Sequence, residues 1–161
     1  MTSRTGGGSQ GKVLREDTLG GVRMALLLDD AEHTIAGDRA FSPAKEDEWG
    51  PGLPVLPGGT LNVFITACLI SEDGRHTLVD TGFGDELRSE REYRLQASLA
   101  LLGVQPKDVS RVIITHAHGD HFTGNTLHRG DRWVPAYPLA EYVVQEREVA
   151  AMRDAGEAMW T

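Results

Sequence analysis

The chain has 161 residues, 40% of them hydrophobic and 25% charged, which is enough for one domain with a core and too apolar for a disordered chain. Twenty-four acidic against 16 basic residues leave a net charge of −8, so the sequence lacks the basic footprint of a nucleic-acid binder, and no apolar run approaches the roughly 18 residues needed to span a bilayer. The single cysteine, Cys68, excludes an intramolecular disulfide framework and a cysteine-based zinc finger; with a polar, glycine-rich start that lacks signal-peptide character, it predicts a cytoplasmic setting.

In chain order, residues 1–19 read as a flexible tail, because Gly6-Gly7-Gly8-Ser9 has little to bury against its ordering entropy. The rest, 20–161, reads as one α/β domain. Val22 to Leu28 predicts a first strand. Residues 37–60 carry five glycines and four prolines and predict a long irregular loop. Leu61 to Ile70, apolar on both faces apart from Asn62 and Thr66, predicts a strand buried on both sides. Glu72-Asp73-Gly74 reads as a hairpin turn, His76 to Val79 as the returning strand, and Asp80-Thr81-Gly82-Phe83-Gly84 as the turn that closes it. Leu95, Leu99 and Leu102 recur at helical spacing within 86–102, with Gly103 at the C-cap position. A short strand follows at Arg111 to Thr115, another at Glu141 to Val144. An amphipathic helix is predicted from Glu146 to Trp160, with Val149, Met152 and Met159 on one stripe. Strands interleaved with helices argue for an α/β layer architecture.

The chemistry concentrates where the strand Arg111 to Thr115 ends. Thr115-His116-Ala117-His118-Gly119-Asp120-His121 holds half of the six histidines within six residues, with an aspartate among them. In extended backbone His116 and His118 point the same way. Two imidazoles on one side suit a borderline cation such as Zn²⁺. Gly119 permits a sharp turn that brings Asp120 and His121 to the same space. Four donors in so tight a loop exceed what one closed tetrahedral site would take, and two adjacent cations sharing the loop fit better. The bland alternative is a polar surface loop that holds no metal.

This H-x-H-x-D-H loop after a buried strand resembles the metallo-β-lactamase superfamily. The resemblance extends to Leu78-Val79-Asp80-Thr81-Gly82, similar to the family's Asp-Thr-Gly turn, and to the intervening helix, so that Leu61 to Asn125 matches the N-terminal half of the fold in order and character. It implies an αββα sandwich of which this chain is the first half, with His116 and His118 on a first metal and Asp120 and His121 on a second. Asp120 would also orient the attacking water. Asp80 would hold the ligand loop, although a carboxylate capping the helix that follows is an equal reading. The cofactor implied is Zn²⁺, two ions in the complete enzyme, with Mn²⁺ or Fe²⁺ as substitutes.

A histidine at position 121 is similar to the broad group of dinuclear lactone, thioester and organophosphate hydrolases, and a minority of the β-lactamases share it. The expected function is therefore metal-dependent hydrolysis of a small ester-, lactone- or thioester-like substrate. Alternatives are a class B-type β-lactamase, or a non-catalytic half-domain that binds metal or a partner. The forty residues after His121 hold one further histidine, His128, too close to be the family's third ligand and read as an exposed loop residue. With the later ligands of the family unmatched, the chain alone is expected to be inactive and to self-associate through an uncovered sheet face. Cys68 reads as a small buried hydrophobe, and Trp49 as a substrate contact or a loop anchor.

Overall fold

The computed structural model describes residues 11–43, 48, 55–56, 58–84 and 94–155. The chain clusters into two compact units, Met1–Asp29 with Thr66–Thr161, and Asp30–Ile65. In chain order the strands among the described residues are β1 (Val13–Leu19), β2 (Val22–Ala36), β3 (Val55–Leu56), β4 (Thr60–Glu72), β5 (Arg75–Val79), β6 (Val109–Ile114), β7 (Thr126–Arg129), β8 (Arg132–Pro135) and β9 (Glu141–Val144). Helices among the described residues include α1 (Gly37–Ala40), α2 (Arg94–Leu101), α3 (Gly119–Phe122) and α4 (Glu146–Ala155).

The first unit is built on a mixed sheet in the order β1-β2-β4-β5-β6-β9. The hairpins β1–β2 and β4–β5 are antiparallel, while β5–β6 and β6–β9 are parallel. The hairpin turn after β4 falls where the sequence places it, with positive φ at Asp73 and Gly74 as a two-residue turn requires. Parallel neighbours need a crossover, and α2 supplies the one between β5 and β6. Its Leu95 and Leu99 are fully buried, in one cluster with Leu69, Leu78, Val109 and Val112. This is the helical stripe that the leucine spacing predicts; residues 86–93 of the expected helix lie outside the described residues.

Three expectations are corrected. Residues 13–19, read as part of a flexible tail, form β1, paired with β2 from Leu19 opposite Val22 to Val13 opposite Leu27. Its side chains are largely exposed, so main-chain pairing at a polar sheet edge holds it where apolar periodicity gives no signal. The first predicted strand continues to Ala36. In the first unit, β4 is buried on one face only. Register places Leu69, Leu78 and Val112 side by side on the helix-covered face, where each is at most 2% exposed. On the other face Cys68, Val79, Ile113 and Val143 line up, half-buried to exposed. Composition shows that both faces are apolar, and it carries no information on whether a second layer covers them.

In the second unit β3 pairs antiparallel with β4, Val55 opposite Leu61, and the Gly37 N–H donates to the Gly59 carbonyl at 2.9 Å. Residues 44–47, 49–54 and 57 of the expected irregular loop, Trp49 included, lie outside the described residues, as do Met159 and Trp160. No helix among the described residues is long and apolar enough to cross a membrane.

Candidate metal centre

Strand β6 ends at Ile114, the chain bends through Thr115–Ala117, and His118, extended again, precedes the single turn of α3. After the bend Ala117 is buried, 5% exposed, while His116 and His118 on either side of it stay accessible. The α3 turn then carries Asp120 and His121 into the same space. It is closed by the His121 N–H donating to the His118 carbonyl at 2.9 Å, and by the Thr123 hydroxyl donating to the Gly119 carbonyl.

The four side chains gather as two donor pairs. His116 Nε2 lies 3.1 Å from His118 Nδ1, and His121 Nε2 lies 3.3 Å from Asp120 Oδ2. The His116 ring centroid is 4.6 Å from that of His118 and 3.9 Å from that of His121. Two ligands of a tetrahedral zinc with bonds near 2.0–2.1 Å stand about 3.3 Å apart, so each pair spans one edge of such a site. The donor set of imidazole nitrogen and carboxylate oxygen suits zinc. Among the described residues no three or more His, Cys, Asp or Glu side chains form a group that would hold one ion. Each pair therefore offers two donors and, among the described residues, no third.

Asp80 fixes the pairs from behind. Its side chain is about 10% exposed, and its Oδ2 accepts the His121 Nδ1 proton at 2.7 Å. Oδ1 accepts the Thr115 N–H at 2.8 Å, and the Thr115 hydroxyl lies 2.8 Å from Oδ2. A proton fixed on Nδ1 leaves the His121 Nε2 lone pair free to face a cation. Of the two readings left open by the sequence, the structure thus shows Asp80 gripping the ligand loop. Its φ of 60° lies in the left-handed region, which costs an L residue roughly 1–2 kcal/mol and which Asp tolerates better than most.

The turn after Asp80 clamps the loop through its backbone. The Thr81 N–H donates to the His121 carbonyl at 2.8 Å, and the Gly124 N–H donates to the Gly82 carbonyl at 3.0 Å. Gly82 and Gly84 have positive φ, and a Cβ on either would collide, with the Asp29 carboxylate and with Gly124 respectively. Asp29, 1% exposed, accepts the Phe83 N–H at 3.0 Å. From the other side of β6, Glu148 on α4 accepts the Ala117 N–H at 3.0 Å. Sequence reasoning missed Asp29 and Glu148. The first looks like a strand-end turn residue and the second like an ordinary acid in a first helical turn.

The remaining candidates lie elsewhere. His128 sits exposed on β7 and stacks against Trp133 of β8, ring centroids 4.8 Å apart, in a hairpin that the sequence reading did not anticipate. Cys68 is half-buried in β4, and that burial pushes its thiol above the ordinary cysteine value, which disfavours the nucleophilic thiolate.

A sequence profile described as the metallo-beta-lactamase superfamily matches residues 60–160. Among solved structures, a probable metal-dependent hydrolase from Staphylococcus aureus superposes with a TM-score of 0.72 at 24% identity, over 83% of this chain and 50% of that one. AidC, a dizinc quorum-quenching lactonase in complex with a product, gives 0.66 at 20% identity, over 87% and 47% of the two chains. The hydrolase AbOPH of the beta-lactamase superfamily gives 0.68 at 21% identity, over 89% and 48%. The chain thus spans about half the length of the solved structures it matches.

Proposed function

The chain belongs to the metallo-β-lactamase superfamily, and from that premise we propose that it carries the cation-binding half of a metal-dependent hydrolase that acts on a small ester-, lactone- or thioester-like substrate. The observation that supports this most is the pairing of donors at tetrahedral-edge distances, His116 with His118 and His121 with Asp120. In this reading the first pair holds one zinc ion and the second pair another. The ions, when bound, supply Lewis acidity for the substrate oxygen and acidify the attacking water.

The chain's own residues then divide the work. His116 and His118 fix the first cation position from either side of the buried Ala117, and His121 presents Nε2 because Asp80 holds its other nitrogen. Asp120, about one-third exposed, has a carboxylate with room to accept a hydrogen bond from the attacking water and so to aim it. The further donors that each pair needs lie outside this set, in keeping with relatives twice as long. The lactonase among those relatives makes a lactone or an analogous ester the first substrate class to try.

A second reading has one observation in its favour. Because the described residues supply only pairs, this chain by itself acts as a weak metal-binding half-domain, and its apolar row Cys68–Val79–Ile113–Val143 invites self-association.

Cobalt titration followed by visible absorption, beside a lactone- and ester-hydrolysis assay, tests both readings. The expected result is weak cobalt binding that loses the first pair's share in H116A/H118A, with hydrolysis only when the rest of a full-length domain is supplied. Cobalt binding unchanged in H116A/H118A overturns the assignment of the first pair.

A further inference from the structure

Glu148 is not among the donors, yet it is bonded to the peptide that joins two of them. Resting on the reading that His116 and His118 share a cation, we propose that Glu148 is the positioning residue that sets the spacing of that pair.

Its Oε2 accepts the N–H of Ala117, the residue between the two histidines, at 3.0 Å across 31 residues of sequence. The place of this bond in the sheet gives it weight. Strand β6 lies between β5 and β9, and its pairing with β9 ends at Ile114 opposite Val144. Beyond that point the stretch 115–118 bends away and has left the ladder. Two carboxylates take over, each from just past the end of a neighbouring strand. Asp80, one residue after β5, takes the Thr115 N–H, and Glu148, four residues after β9, takes the Ala117 N–H. The buried Ala117 methyl limits rotation of the same peptide. A donor pair 3.1 Å apart on a segment without strand partners needs such a tether, because rotation of the 116–118 backbone would separate the two imidazoles.

The competing role for Glu148 is electrostatic, an acid near the N-terminus of α4. Two substitutions separate the roles. E148Q keeps an oxygen at the same reach and removes the charge, whereas E148D keeps the charge and shortens the reach by a methylene. The protein and its E148Q, E148D, E148A and H118A variants would be titrated with cobalt(II) while amide exchange at Ala117 is followed by NMR. Positioning predicts that E148A and E148D weaken cobalt affinity by about ten- to a hundred-fold and speed Ala117 exchange, and that E148Q retains both. Should E148A fail to fold, the comparison of E148Q with E148D decides alone. Retention in E148D with loss in E148Q, or no change in any Glu148 variant while H118A loses the signal, overturns the proposal and leaves the metal reading standing. No cobalt signal in the parent protein overturns the metal reading, and this proposal with it.

Discussion

Asp80→Asn should disable one donor pair while leaving the backbone of the loop in place. Asn adopts positive φ as readily as Asp, so the residue's φ of 60° is not the variable being changed. What changes is one oxygen. In the parent, one carboxylate oxygen accepts the Thr115 N–H and the other the His121 Nδ1 proton. An amide oriented to keep the Thr115 bond turns its NH₂ toward Nδ1, where two donors cannot meet. The imidazole responds by moving its proton to Nε2, the nitrogen 3.3 Å from Asp120 Oδ2 and the one a cation would need. Loss of a bond to a charged acceptor costs about 1.5–3 kcal/mol. At roughly 2–4 °C per kcal/mol for a chain of this size, the melting midpoint should fall by about 3–12 °C. Affinity at the Asp120–His121 pair should fall roughly ten- to a hundred-fold. Nitrogen-detected NMR of the His121 ring reports the tautomer directly, with or without metal, and metal titration reports the affinity. An Asp80→Asn protein whose His121 keeps its proton on Nδ1, with unchanged metal affinity, would refute the claim that Asp80 sets this pair.

Gly82→Ala should destabilise the protein by about 2–4 kcal/mol, since it combines a left-handed φ with a collision against the Asp29 carboxylate; urea unfolding checks this, and a shift below about 1 kcal/mol would show that the turn yields easily. Cys68 should give the protein an alkaline slope. Because burial raises its thiol value in the folded state, its stability contribution is full below the unfolded cysteine's value of about 8.5 and is lost as pH rises through the folded value. Melting scans from neutral to alkaline pH should show C68A lacking that part of the decline, and parallel curves for the two proteins would contradict it.

The gathering of His116, His118, Asp120 and His121 was legible because these residues are contiguous: four polar side chains within six residues around a permissive glycine need no long-range information. The groups that aim those donors were not, because they reach the loop from far along the chain. Glu148 is 31 residues from Ala117, and Asp29 is 54 from Phe83. Asp80 fell between these cases, since its Asp-Thr-Gly turn was visible while its bonds to Thr115 and His121 depend on β5 and β6 being parallel neighbours. Two of the strand features that escaped notice share one property. Both β1 and the β7–β8 hairpin expose most of their side chains, and hydrophobic periodicity cannot register a strand held chiefly by its main chain.

That distribution of tethers bears on what a cation would do on arrival. Thr115 and Ala117 are held by carboxylates following the strands on either side of β6, His121 by Asp80 and Thr81, and the α3 turn by its own bonds. None of these contacts uses His116 Nε2 or His121 Nε2 to hold the loop to the sheet. The loop is therefore tied to the sheet through contacts that leave these nitrogens unused, and on the proposed metal reading binding need not include folding the site. In a metal site that forms only with its ion, binding and folding free energies are the same quantity, and removing the ion melts the structure. If the proposed pairs bind metal, the two should separate: chelation should leave β5, β6 and α3 in place, and weak binding should reflect too few ligands, not a disordered loop.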